Sequence, residues 1–114
     1  MTIPEFKTKL KTTPTAITFK ETMQVIEDHY NFNPTAFLNG DIINNAGENN
    51  GSCKLFAFAM HQELTKEETL LCFGEYYQTV LEDKNGTSHQ NIRNFMKTSF
   101  KGLSFENEAL TLKK

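Results

Sequence analysis

The chain has no tryptophan, only two cysteines and three prolines among 114 residues, and no internal repeat or low-complexity tract. No apolar run approaches the roughly 20 residues that a membrane-crossing helix needs. The longest, CKLFAFAM at 53–60, carries a lysine. The first residues, MTIPEFKTKLKTTPTAITF, lack the apolar stretch of a secretory signal, so a cytoplasmic location is expected. In a reducing compartment Cys53 and Cys72 are expected as buried thiols on separate helices. A disulfide between them would require those helices to pack closely.

Strong charge of one sign is also missing, since the net charge is −2. The distribution is uneven. Residues 1–20 carry four lysines against Glu5, and 21–83 carry eleven acids against Lys54 and Lys66. Residues 84–114 then hold six bases against Glu106 and Glu108. An acidic middle argues against nucleic acid as a partner, because phosphate binding needs a basic face. The basic ends either fold back on that middle or stay free for an acidic partner.

What is present is a core for one domain. Apolar residues make up 38% of the chain, and ten phenylalanines supply most of the bulk. A first helix is expected over 3–11, with Ile3, Phe6 and Leu10 on one side, ended by Thr12-Thr13-Pro14. Thr18-x-x-Glu21 is a capping box, in which hydroxyl and carboxylate each satisfy an orphan N–H. Phe19, Met23, Ile26 and Tyr30 behind it form a helical stripe. A second box, Thr65-x-x-Glu68, precedes Leu70, Phe73, Tyr77 and Leu81, a helix expected to run through Gly74. Ser88 is the expected cap of a last helix carrying Ile92, Phe95, Met96 and Phe100.

Between these, PTAFLNGDIINNAGENNGS at 34–52 has no periodicity and holds five asparagines and three glycines. Such composition favours turns and left-handed backbone. A loop of that length in a small domain is often functional. Residues 35–38 are expected to pair as a short strand with 102–105. All-round apolarity marks 53–62 as the central buried helix. The expected fold is mainly α: a single-domain bundle of about five helices with a long polar loop and a short two-stranded β element. Residues 1–17 form an N-terminal segment with a short docked helix, 18–106 the helical core domain, and 107–114 a C-terminal tail.

Three strings, FNPTAFLNGDIINNAGENNGSCKLFAFA, TLLCFGEYY and HQNIRNFMK, together resemble the HopJ type III effector protein family. They cover 32–59, 69–77 and 89–97. The resemblance implies a bacterial protein and, through the family's name, delivery by a type III secretion machine without a cleavable signal. Residues 2–18 hold six threonines and no serine, while Phe6 and Leu10 suggest a docked helix there. No catalytic residue is implied.

Within those strings stand polar residues that a core does not require: Asn39, Asp41, Asn44, Glu48, Asn50, Ser52, Glu75, Tyr76, His89, Asn91 and Arg93. They are the candidate binding residues. Set against this is a structural reading, in which Asp41 and the asparagines satisfy turns and Arg93 pairs with Glu75. A nucleophilic reading would join Cys53, at a helix start that lowers a thiol pKa, to His89 as base and Asp41 as orienter. GENNGSCK departs from a phosphate loop in glycine spacing and lysine position, although amides at that helix start could hold an anion. DIINNAGEN fails as a calcium loop because Ile43 takes a ligand position. The histidines at 29, 61 and 89 make no metal pattern, so no metal and no cofactor are expected.

The function expected is a non-catalytic protein that binds a macromolecule through the 39–52 loop and the Glu75/Arg93 region. The alternative is a small-molecule-binding protein or enzyme with that loop as a pocket wall.

Overall fold

The computed structural model describes residues 1–113; Lys114 lies outside the described residues. A capping box opens α1 (Ile3–Thr12), where Thr2 and Glu5 exchange hydrogen bonds. Phe6 and Leu10 of α1 are buried. The expected box at Thr18 and Glu21 opens α2 (Phe19–His29). Lys9 reaches Glu21 at 2.6 Å and holds its carboxyl below the ordinary glutamate value. Thr22, fully buried in α2, donates to the Cys72 carbonyl at 2.7 Å, which ties α2 to the following helical layer.

α3 (Asn50–His61) is the centre of the molecule. Cys53 and 55–59 are all buried there. The Phe56 ring sits among Phe73, Phe95 and Phe37 at centroid distances of 5.5, 4.9 and 6.3 Å. Such edge and tilted contacts add to the stabilisation that burial alone provides.

The helix expected to run through Gly74 is instead two: α4 (Lys66–Leu71), capped by Thr65 and Glu68, and α5 (Glu75–Glu82). Gly74 stands at φ +59°. A Cβ there would meet the backbone of residues 17–19 at 2.7–2.8 Å, so the break lets the start of α2 approach. α6 (Gln90–Thr98) begins after His89, not after Ser88, and His89 takes a left-handed conformation without a side-chain cap.

Part of the long loop is β structure, at residues 37–39 and 42–44. β1 (Tyr30–Phe32) follows α2, and β2 (Phe37–Asn39) and β3 (Ile42–Asn44) form a tight antiparallel hairpin. β4 (Leu103–Phe105) pairs antiparallel with β2 on its other side, in segments that overlap the expected 35–38 and 102–105, giving a three-stranded sheet in the order β3-β2-β4. Gly40 turns the hairpin at φ +64°, and a Cβ there would fall on the Asn94 amide. Within the expected C-terminal tail, β5 (Leu110–Leu112) pairs with β1, and Ala109 and Leu110 are buried. Among the described residues the chain is predominantly helical, broadly as expected, with six α-helices, but it carries five short strands in two small sheets where a single two-stranded element was expected. Strands this short leave little alternating pattern to read.

Candidate functional site

The hairpin leans on α6 through its asparagines. Asn39 donates to the backbone and side-chain oxygens of Asn91 at 2.8 and 2.9 Å. Asn91 in turn donates to Asn44 Oδ1 at 3.0 Å, and Asn49 donates to the same oxygen at 2.6 Å. Asn94 completes the network by donating to the Asn39 carbonyl. Asn39, Asn44 and Asn91 are buried, and Asn39 Oδ1 alone of these amide atoms has no protein partner. Paired amides of this kind fix one packing of hairpin against helix.

In front of that network lies a cleft of about 420 Å³. Ile42 of β3 and Asn49, Gly51 and Ser52 at the start of α3 form one side. Gln90, Asn91 and Ile92 at the start of α6 form another, with Phe19, Phe73, Tyr76 and His89 completing the wall. The aromatic residues are continuous. Tyr76 stacks on His89 at 5.2 Å and packs on Phe19 at 5.0 Å, and Phe19 stacks on Phe73 at 6.2 Å. Among the described residues no lysine, arginine, aspartate or glutamate lines the cleft. Both α3 and α6 start from a left-handed N-cap residue and lack a side-chain cap. Their first-turn N–H groups therefore lack the acceptor that a capping side chain supplies.

Of the candidates, Ser52, Tyr76, His89 and Asn91 line this cleft, and Asn39 and Asn44 brace it from behind. Asn50 is the exposed first residue of α3. Asp41 is exposed at the hairpin turn, and Glu48 accepts from the Asn45 N–H at 2.9 Å within its own loop. Glu75 does not meet Arg93. Its carboxylate accepts from the Phe19 N–H at 2.8 Å and so supports the start of α2. Arg93 bonds the carbonyls of Ser88, Asp83 and Lys84, holding the loop before α6. Phe19 and Asn49 were not candidates; Phe19 belongs to a helical stripe, and nothing in its spacing separates a cleft wall from a core contact.

The nucleophilic reading does not assemble. Cys53 is buried, burial pushes its thiol pKa up, and its S–H faces the Thr35 carbonyl at 3.9 Å. His89 lies instead against Tyr76, and Asp41 is on the far turn of the hairpin. Burial raises the Cys72 thiol as well.

Fold and site together define a small mixed α/β domain with a preformed cleft between two helix starts and an asparagine-braced hairpin. None of its helices is long and apolar enough to cross a membrane among the described residues. The chain belongs to the HopJ type III effector protein family, whose model matches residues 3–110. It is also similar to the crystal structure of the unknown function protein VPA0580, with 51% identity and a TM-score of 0.96 over 99% of this chain and 95% of that one. Among curated proteins no sequence matches.

Proposed function

We propose that the protein is a non-catalytic binding protein whose cleft takes a small ligand with a planar ring and hydrogen-bond acceptors. One observation carries this reading: the Phe19–Tyr76–His89 wall and the uncapped starts of α3 and α6 line the same cleft. A planar ring gains stacking against such a wall. Acceptors on its edge gain the N–H groups that the helices leave open. The absence of charged lining residues favours recognition by shape and hydrogen bonds over ion pairing. The test is protein-observed NMR with adenine and nicotinamide, using saturated piperidine-3-carboxamide as the non-planar control. Shifts at 51–52 and 89–92 are expected with the planar compounds alone. Tyr76 is 40% exposed, so Tyr76→Ala should fold. The variant should bind about tenfold more weakly, a loss of about 1.4 kcal/mol. Equal shifts from the saturated control, or unchanged affinity in the variant, would remove this reading.

A second reading, a macromolecular partner, rests on the outer face of the hairpin. Leu38 and Ile43 are direct cross-strand partners, 42% and 70% exposed. Family membership is consistent with delivery through a type III machine, and this face would then meet its partner after delivery. Ile43→Asp should abolish crosslinked capture of that partner and leave the cleft's ligand shifts intact. Capture that survives the substitution would take the hairpin face out of consideration.

A further inference from the structure

A second cavity, of about 500 Å³, lies on the opposite chemistry to the first. Its floor is apolar, made by Val80 and Leu81 of α5 and Met96 of α6. Among the described residues three cations line it, Lys84, Arg93 and Lys97, and no acid does. Among the described residues neither Lys84 nor Lys97 is in an ion pair. Arg93 spends its Nε and Nη1 donors on backbone carbonyls, while Nη2 is buried with no hydrogen-bond acceptor. The acid beside Nη2, Asp83, stands at 3.9 Å with its carboxylate against Gly86, and its side chain is 62% exposed. Carbonyls are dipoles and leave the guanidinium charge in place.

We propose that this cavity is a binding site for a small amphipathic organic anion, a carboxylate carrying a short apolar tail. The tail would lie on Val80, Leu81 and Met96. The carboxylate would be held by Lys84 and Lys97, with Arg93 Nη2 open to it once Asp83 turns away. An apolar floor alone would accept neutral molecules, and surface lysines alone would attract anions only weakly. Their combination in one cavity selects a molecule with both parts. This site shares Gln90 with the aromatic cleft but does not rest on the function proposed for that cleft.

Octanoate, 1-octanol and acetate, each titrated into the full chain and followed by NMR, test the assignment. Octanoate should shift residues 80–87 and 96–97 saturably while 51–52 in the cleft stay unmoved, and neither the tail alone nor the headgroup alone should do so at the same concentrations. Lys84→Gln with Lys97→Gln changes two exposed side chains, so the fold should persist. The double variant should bind octanoate about tenfold more weakly, as the loss of two exposed charge contacts implies. Octanol binding as tightly as octanoate, or full affinity in the double variant, would overturn the proposal. Retention on anionic phospholipid vesicles without binding of free octanoate would also overturn it, assigning the cations to a membrane surface instead.

Discussion

The two faces of the β2–β3 hairpin invert the usual arrangement of polar and apolar residues. Its inner face presents Asn39 and Asn44, fully buried, beside Phe37; its outer face presents Leu38 and Ile43 to solvent. In α3, a few residues on, burial follows apolarity in the ordinary way, with Leu55, Phe56 and Phe58 wholly enclosed. The difference is what each element packs against. α3 is surrounded by rings. The hairpin meets the first turn of α6, where Asn91 offers both an amide and a carbonyl, and only a polar side chain can answer those groups. Polar density therefore marks a strut on one face of the hairpin, and apolarity marks an accessible surface on the other.

The most severe way to break this comparison is Asn91→Ala. The substitution removes the side-chain amide that bonds Asn39 and Asn44 together, while Asn39 keeps its bond to the residue-91 carbonyl and Asn44 Oδ1 keeps its bond from Asn49. A destabilisation of about 3 kcal/mol is expected, from three buried side-chain hydrogen bonds lost at about 1 kcal/mol each. Urea denaturation with an unchanged m-value measures it. A loss below about 1 kcal/mol would mean that the amides are not struts. The cleft would then have to be reconsidered, since Asn91 lines it.

The legibility of the molecule in its sequence divides along the same line. The boxes at Thr18 and Thr65 were readable because their bonds are local, three residues apart. The apolar helix around Phe56 was readable because burial on every side leaves a compositional mark. The break at Gly74 was not, because it answers the approach of residues 17–19, a contact distant in sequence. The pairing of β1 with β5 was hidden for a similar reason, since it joins Tyr30 to Leu112 across most of the chain. For the candidate site, residue type singled out Ser52, Tyr76, His89 and Asn91, which the fold gathers around one cleft. The same criterion also picked Glu75 and Arg93, which hold backbone groups elsewhere. Type alone cannot say whether a polar side chain faces a ligand or a neighbouring peptide group.

The smallest expected effects belong to the two carboxylates of the hairpin region, and they sharpen the comparison from its other side. Asp41 sits exposed at the turn, where Gly40 already supplies the left-handed position that the reversal needs. Asp41→Asn keeps the size and removes the charge, so stability should change by less than about 0.5 kcal/mol, as for ordinary surface substitutions. Glu48 has one duty, accepting the Asn45 N–H at 2.9 Å in an exposed turn. Glu48→Gln retains an acceptor and loses only the charge assistance of that bond. The expected loss is about 0.5 kcal/mol, at the lower end of what one hydrogen bond contributes. Thermal unfolding of both variants beside Asn91→Ala gives the ranking directly. Should either carboxylate variant lose as much as Asn91→Ala, charge at the turn would be holding the hairpin in place. The outer face could then no longer be treated as a surface free to meet a partner, and the hairpin would be a strut on both sides.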